Sequence, residues 1–494
     1  MEATISVVTG ELVSRFISFL KNKYHSSLSD AQSEEKVVRR LQHLLMRVSI
    51  IVEEADARYI TNYGMLLQLK MLSEAMYKGY RVLDTLRYQN LQDSADTNEV
   101  SIDDPSSSSL YISIPFKRSR KEIEKHDMAM RLESDGALES LELAIANMAE
   151  FVVLLSGCER MSRRPYDVYL YTNNFMFSRH AEKQKLLSFL LEHNNPPGDH
   201  APTVLPIIGG FGVGKKTLVA HVCADERVRS RFSSTLHLNG DNLLTTLDHG
   251  GAMFDMMLVV IEFASDISDD DWKKFHLFLV RMSRGSKIII ISKLKRLARF
   301  GSVQPIFLSA LSYDELRYLF KTLAFGSVGP AEHPQLVQLT DEFAKELYGK
   351  QGSLVAANTF AHVLRMNLTV QFWRCIFGKG IRHVKRNLCI YGVHPSKLKE
   401  QGLPVDITDF ALHPLTMTSC TSNVPIKEES PSVTFGELLA DPSVRPEGDF
   451  TLIEYESRIP PHKSFVHFVA SRAQDTHEGS SSTLPGRKRR GVPI

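Results

Sequence analysis

Apolar residues recur every three or four positions through the N-terminal part of the chain, a spacing that places them on one face of an α-helix. Three such stripes run through residues 5–23, 33–52 and 69–86. A fourth extends from Ser119 to Leu155, after a polar segment over 92–118 that we interpret as a flexible loop. Because short connections favour antiparallel neighbours, the pattern predicts a coiled-coil-type four-helix bundle over residues 1–160.

Short apolar runs alternate with helical patterns in the middle of the chain. The run Met-Met-Leu-Val-Val-Ile at 256–261 is uninterrupted, as in a parallel strand buried on both faces. Ser312 and Glu315 have the spacing of a capping box that opens a helix. This alternation predicts a doubly wound parallel sheet over residues 201–330, with a ligand at the carboxyl ends of the strands. The predicted strands cover 204–208, 234–238, 256–261, 287–291 and 305–308.

The segments around this sheet have weaker patterns. Residues 161–200 indicate a linker and one helix before the sheet, and residues 331–390 indicate a small helical subdomain. Residues 391–494 are rich in Pro, Ser and Thr, and we expect a largely irregular C-terminal extension. Two alternating segments that flank Pro-Pro-His-Lys predict a β-hairpin over 449–470. The expected architecture is therefore multi-domain, α + α/β.

A glycine-rich loop joins the first predicted strand to the following helix. It matches G-x-x-x-x-G-K-[ST] at Gly209, Gly214 and Lys215. The glycines allow backbone N–H groups to surround a phosphate, the lysine reaches the outer phosphates, and the helix N-terminus favours the same anion. The strand and the helix that flank the loop favour a nucleotide site over an ordinary strand–helix turn. The candidate nucleotide-binding residues are Gly209, Gly210, Gly212, Val213, Gly214, Lys215, Lys216, Thr217 and Leu218.

The loop departs from the motif at its last position. Lys216 replaces the Ser or Thr that normally ligates Mg²⁺, and Thr217 follows one residue late. A shifted register would place Lys215 at a turn position suited to glycine, so we reject it. A second ammonium disfavours a divalent cation and itself neutralises phosphate charge. We therefore expect phosphate binding with compromised metal-assisted hydrolysis, and the sequence leaves open whether the protein is an enzyme.

Three further residues have candidate roles near the phosphates. Glu262 follows the run at 256–261, where P-loop NTPases place a carboxylate for the Mg²⁺ shell, but the next residue is Phe263 rather than a second acid. Lys293 follows the next strand and is a candidate contact to the outer phosphate. A simple strand end and a surface lysine remain the alternatives for these two residues. We interpret His237 as a packed core histidine rather than a catalytic base.

Composition narrows the class of protein. Hydrophobic residues make up 43% and charged residues 23%, as in soluble globular proteins, and the net charge of +2 indicates no nucleic-acid partner. The five cysteines form no C-x-x-C, so we expect neither a disulfide framework nor a zinc site. We find no transmembrane run and no secretory signal, and we expect a cytoplasmic location, with the plasma-membrane periphery and the nucleus left open. The basic run Arg487–Arg490 is interpreted as a solvated tail rather than a nuclear address.

The order of these elements resembles the plant coiled-coil nucleotide-binding (NB-ARC) immune receptors, a disease-resistance protein family that usually carries leucine-rich repeats. The resemblance covers residues 1–375. It implies a helical signalling bundle, a switch domain that binds ADP at rest and ATP when active, and a role in defence. It also implies that Lys215 is the central phosphate contact, with Glu262 at the Walker B position and Lys293 at the sensor arginine position. The resemblance rests on the four-helix pattern, PYDVYLYTNNFMFSRHAEKQKLLSFLL, GGFGVGKKTLVAHVCADERVRSRF, LVVIEF, GSKIIIISK and LSALSYDELRYLFKTLAF.

The chain also departs from the family. The Gly-Leu-Pro-Leu stretch becomes Gly352-Ser-Leu-Val, without the proline that contacts nucleotide. The acidic signature that docks the bundle on partner domains becomes Tyr80-Arg-Val-Leu-Asp84, with two acids lost. Neither a methionine-histidine-aspartate motif nor a leucine-rich repeat is recognisable.

The sequence therefore predicts a degenerate immune-receptor homologue that binds ADP or ATP, with Mg²⁺ disfavoured. We expect it to act through its N-terminal helices on other immune receptors or signalling proteins, as a regulator, helper or decoy. A pure interaction scaffold with a relic nucleotide site is the first alternative. An Mg²⁺-dependent ATPase switch, in which Thr217 or water replaces the missing metal ligand, is the second.

Overall fold

A computed structural model describes most of the chain. The predicted first helix over 5–23, the linker over 161–175 and the basic tail lie outside the described residues. No helix within the described ranges has both the length and the apolarity that a bilayer crossing demands. The described residues are 35–96, 120–159, 176–192, 202–240, 256–279, 285–349, 353–411, 414–419, 431–459 and 464–471.

The N-terminal helices pack around one apolar core. Their fully buried side chains include Leu41, Leu141 and Phe151. Two predicted boundaries are wrong. The helix predicted over 69–86 continues to Asp96, because its polar end contains no Gly or Pro to stop it. The predicted fourth helix is divided at Asn147, a residue type that disfavours a helix interior. The helices are α1 (35–56), α2 (Tyr63–Asp96), α3 (Arg120–Ala146) and α4 (Met148–Ser156).

A five-stranded sheet occupies the middle of the chain, and its strand pairs are all parallel. Apolar side chains alternate between its two faces, and each face is covered by helices, as the period of the strands requires. The predicted parallel sheet is thus present, in the order β2-β3-β4-β1-β5. Its elements are α5 (His180–Leu191), β1 (Thr203–Gly209), α6 (Lys215–Cys223), α7 (Glu226–Arg231), β2 (Ser234–Asn239), β3 (Met257–Phe263), α8 (Asp269–Leu279), β4 (Lys287–Ser292) and β5 (Ile306–Leu308).

His237 is exposed on β2, so its interpretation as a core histidine is wrong. His237 is exposed because β2 is an edge strand that pairs with a single neighbour, β3. In a run of only six residues, a strand with one exposed face is hard to distinguish from a strand buried on both faces.

Four helices follow the sheet. Ser312 and Glu315 form the predicted capping box, in which each side chain bonds the other residue's backbone N–H. Trp373 and Phe320 are fully buried in the core that these helices share. The helices are α9 (Tyr313–Phe325), α10 (Pro334–Gly349), α11 (Leu354–Met366) and α12 (Val370–Tyr391).

The described part of the C-terminal extension is folded, which corrects the expectation of a largely irregular tail. Leu415, Phe450 and Val469 are fully buried and complete the same core as α9–α12. Strands of two to eight residues carry too little periodicity to be recognised in sequence. The last two strands pair antiparallel where the hairpin over 449–470 is predicted. The elements are α13 (Pro395–Glu400), β6 (Val405–Asp406), β7 (Leu415–Ser419), β8 (Ser432–Thr434), α14 (Phe435–Ala440), β9 (Phe450–Glu456) and β10 (Ser464–Ser471), with sheet order β6-β7-β10-β9-β8.

Candidate functional site

The glycine-rich loop lies at the carboxyl end of β1, where the strand order reverses. The chain leaves β1 toward β2 on one side, whereas β5 pairs with β1 on the other side, which opens a crevice above the sheet. Gly212 and Gly214 have φ angles of +70° and +93°, a backbone region that favours glycine. A Cβ on Gly209 would lie 2.6 Å from the carbonyl oxygen of Leu308. The two motif glycines, Gly209 and Gly214, and the intervening Gly212 therefore need glycine for geometric reasons.

Lys215 holds its ammonium group within the loop. Its Nζ donates to the carbonyl oxygens of Gly209 at 2.8 Å and Gly210 at 2.5 Å. Burial lowers the pKa of Lys215 to about 8, so that the side chain is still mostly charged at pH 7. A half-buried cation at a helix N-terminus is the arrangement that attracts phosphate oxygens.

The position of the usual metal ligand is occupied by an ion pair. Lys216 Nζ lies 2.6 Å from Glu262 Oε1, and the two side chains are 52% and 47% exposed. The residue after Glu262, Phe263, is buried and meets Trp272 edge-on. Among the described residues no group of three or more His, Cys, Asp or Glu side chains is placed to hold a metal ion. Lys216 thus places a cation, paired with Glu262, where phosphate loops have the hydroxyl that ligates Mg²⁺, and in this respect the residues present do not fit that ion.

Lys293 stands beside the loop, at the end of β4. Its Nζ lies 3.3 Å from Glu400 Oε1, a partner supplied by α13 from far along the chain. The preceding hydroxyl, Ser292 Oγ, donates to the carbonyl of Phe263 at 3.0 Å and so ties two strand ends together. Lys293 and Glu400 line the same cavity as the loop, so the structure brings the predicted lysine next to the loop residues.

Two cavities are lined in part by residues of the loop. The first, of about 330 Å³, is lined by loop residues, Glu262, Lys293 and Arg458. The second, of about 930 Å³, is lined by Arg179, other loop residues and the segment after β5. Leu218 lines neither cavity, because its side chain is fully buried in the sheet core and its N–H donates to Gly214 within the helix. The predicted residues that line at least one of these two cavities are Gly210, Gly212, Val213, Gly214, Lys215, Lys216, Thr217, Glu262 and Lys293.

Two arginines at these cavities were not predicted. Arg179 donates to the carbonyl oxygens of Val213 at 3.3 Å and Ser309 at 2.7 Å, which fixes the loop to the segment after β5. Arg458 donates from Nε to Asn358 Oδ1 at 2.9 Å. Arg179 lies in the segment that carries the family resemblance, but no spacing marks its role. Arg458 is brought to the cavity by tertiary folding alone, so sequence contains no local signal for it.

The Tyr80–Asp84 signature of α2 faces helix α9. Arg81, where the family has an acid, pairs with Glu133 at 2.5 Å and with Asp314 at the start of α9. Exchange of the acid for a base is thus matched by acids on the opposing helices. Aromatic rings pack beside these charges with centroid separations of 5.1–6.1 Å. They belong to Tyr77, Tyr80, Phe177 and Tyr318.

Comparison with known proteins gives consistent relatives at low identity. No protein-family model matches the chain. Disease resistance protein RGA2 of Solanum bulbocastanum is 23% identical over 364 residues, which are 68% of this chain and 35% of that protein. Disease resistance RPP13-like protein 1 of Arabidopsis thaliana is 21% identical over 406 residues, 74% of this chain and 36% of that protein. The chain thus spans about a third of the length of these curated relatives.

Among solved structures, the Drosophila ORC bound to DNA matches 43% of this chain and 63% of that chain, with 14% identity and a TM-score of 0.21. A likeness at that score has no bearing on the fold. The curated relatives do indicate the kind of protein, because those from both plants are described as disease resistance proteins. The chain is similar to plant disease resistance proteins, and the resemblance that its motifs predict is confirmed.

Proposed function

We propose that this chain is an immune-receptor-like protein that binds ADP or ATP through its degenerate phosphate loop. The observation that carries the proposal is the half-buried ammonium of Lys215, held among loop glycines with the backbone geometry of a phosphate cradle. Similarity to disease resistance proteins supports an adenine nucleotide over other phosphate ligands. The cavities that the loop lines, of about 930 and 330 Å³, support the proposal because they offer space for a nucleotide.

Bound nucleotide is held without rapid hydrolysis. Glu262 is engaged by Lys216, and Phe263 offers no second carboxylate to orient an attacking water. Such a protein acts through occupancy of its site rather than through turnover. An Mg²⁺-dependent ATPase would instead lose turnover on Glu262→Gln, and steady phosphate release with that dependence would contradict slow hydrolysis.

The biological role is regulation of defence signalling, as a regulator, helper or decoy. The helices α1–α4 provide the surface for other immune receptors or signalling proteins, and the cytoplasm, including its membrane periphery, or the nucleus is the expected place of action. Similarity to resistance proteins supports this role, whereas the partner itself is a matter for experiment.

The decisive experiment is extraction and identification of nucleotide from the purified full chain. We expect ADP or ATP in near-equal molar amount to the protein, and loss of that nucleotide in Lys215→Ala. Lys273→Ala is the matched control, because Lys273 is exposed and pairs with Asp270 at 3.5 Å outside the loop cavities. Absence of nucleotide in the wild type, together with no ADP or ATP binding by calorimetry, would refute the proposal.

A pure interaction scaffold is the second candidate. It is favoured by one observation: Lys215 is already satisfied by its own loop carbonyls, and Lys216 by Glu262. A ligand that binds the folded state raises the melting temperature, whereas a relic site leaves it unchanged. Thermal melting with and without saturating ADP therefore separates the two candidates.

A further inference from the structure

The phosphate loop is surrounded by charges from several elements. Among the described residues, the ammonium groups of Lys216 and Lys293 and the carboxylates of Glu262 and Glu400 all act on the charge of Lys215. These five groups carry one net positive charge without any metal ion, and Arg179 and Arg458 add two further positive charges at the same cavity. The carboxylate at the usual metal position already has a cation at 2.6 Å, supplied by the residue that replaces the metal-ligating hydroxyl.

We propose that Lys216 takes over the electrostatic role of the metal ion, so that this protein binds ADP without Mg²⁺. The inference rests on the proposed nucleotide binding and adds a property of the same site. In an ordinary phosphate loop the cation beside the outer phosphate is exchangeable. In this chain it is covalently part of the first turn of α6.

The ion pair explains why a divalent cation is disfavoured. A metal at Glu262 would have to displace Lys216, and the released ammonium would remain next to a dication of the same sign. Conversely, removal of Lys216 alone would leave the Glu262 carboxylate facing the phosphates. Lys216 thus neutralises a repulsive acid and supplies a positive charge to the ligand.

The geometry also allows the lysine to serve a ligand. Lys216 is half exposed on a flexible stem, and Lys216, Glu262 and Thr217 line the same 330 Å³ cavity. Rotation about the bonds of its flexible stem would carry the ammonium from the carboxylate to a phosphate oxygen bound in this cavity. Thr217 supplies the remaining loop hydroxyl at this cavity, so it is the residue through which a metal would still bind if the inference is wrong.

The test measures ADP affinity by calorimetry with the full chain, once in excess EDTA and once in excess Mg²⁺. We expect the two wild-type dissociation constants to agree within about twofold, a difference well below 1.4 kcal/mol. In Lys216→Thr, which restores the usual hydroxyl and frees Glu262, we expect weaker binding in EDTA and a gain of about tenfold on addition of Mg²⁺. Lys273→Thr, in an exposed ion pair outside this cavity, should behave as the wild type in both buffers.

The charge balance is tested separately by Lys216→Met and by the double variant with Glu262→Gln. We expect Lys216→Met to weaken ADP binding in EDTA, and Glu262→Gln to restore part of it by removing the facing carboxylate. Thermal melts of each variant confirm that the fold is retained. Wild-type binding that needs Mg²⁺, especially if Thr217→Val abolishes that need, would overturn the inference and leave nucleotide binding intact. Wild type that binds ADP in neither buffer would overturn both proposals.

Discussion

Asp84 of α2 accepts a hydrogen bond from the guanidinium of Arg317 in α9 at 3.0 Å, and the two side chains are only 9% and 2% exposed. Lys321 of α9 bonds the same carboxylate oxygen, and Asp341 of α10 lies 2.5 Å from Arg317. Burial disfavours the charged guanidinium, but the two aspartates outweigh it and raise the pKa of Arg317. Asp84, the last acid of the Tyr80–Asp84 signature, therefore fastens the N-terminal helices to α9.

The first prediction concerns this buried cluster. Asp84→Asn removes the carboxylate shared by Arg317 and Lys321. Arg317 keeps Asp341, whereas Lys321 loses its carboxylate, and breaking such a buried pair costs about 3–5 kcal/mol. We expect α2 and α9 to separate more readily, measured as faster hydrogen exchange in both helices. Glu74→Gln is the control on the same helix, because Glu74 is exposed and lies 4.0 Å from Lys70, a pair worth about 0–1 kcal/mol. Equal exchange in the two variants would show that Asp84 does not fasten the helices.

The second prediction concerns the C-terminal extension. Phe450 on β9 is fully buried in the core of α9–α12, whereas Phe468 on β10 is 38% exposed. Phe450→Ala should destabilise that core by about 3–5 kcal/mol, and Phe468→Ala by clearly less. Urea denaturation followed by fluorescence in a Trp272→Phe background measures the difference, since Trp373 then reports alone and lies in the same core. An unaltered midpoint for Phe450→Ala would show that the extension does not belong to this core.

These buried residues show how far sequence predicts the fold. The sheet was predictable because its strands are long apolar runs, such as β4, buried at every position between parallel neighbours. The second sheet was not, since its core depends on single residues such as Leu415 and Val469 that meet only through tertiary contacts. Helix ends were missed at Asp96, because the polar end of that helix contains no Gly or Pro to stop it, and at Asn147, where a single unfavourable residue divides the predicted helix.

The candidate site was predictable where its residues are adjacent in sequence. Lys215, Lys216 and the loop glycines follow directly from β1, and Glu262 lies near them because parallel strands end at one edge of the sheet. Glu400 and Arg458 reach the same cavity from distant segments, and no spacing rule connects them with the loop. The backbone of the site could thus be predicted from sequence, whereas the full set of charged side chains around it could be identified only from the structure.

The third prediction concerns the choice between ADP and ATP. Glu400→Gln removes the carboxylate beside Lys293, so the lysine becomes available to a third phosphate. We expect ATP affinity to rise relative to ADP, measured by competition for the same site in EDTA. Stability should change by less than about 1 kcal/mol, because the pair is partly exposed. Asp270→Asn, in an exposed ion pair away from the loop, provides the control. An unchanged ATP-to-ADP ratio would remove Lys293 from the site.

The fourth prediction concerns pH, and follows from the burial that lowers the pKa of Lys215 to about 8. Between that value and the higher pKa of the unfolded chain, the unfolded state binds more protons, so Lys215 makes the nucleotide-free fold more stable as pH rises. Phosphate needs the protonated lysine, so ADP affinity should fall instead, by about tenfold one unit above that pKa. Lys287, whose pKa burial also lowers to about 8, adds to the stability trend but lines neither loop cavity. Calorimetry at pH 7 and above separates the two trends. Lys215→Arg should bind with a flat pH profile, and an equal fall in that variant would assign the effect to another group.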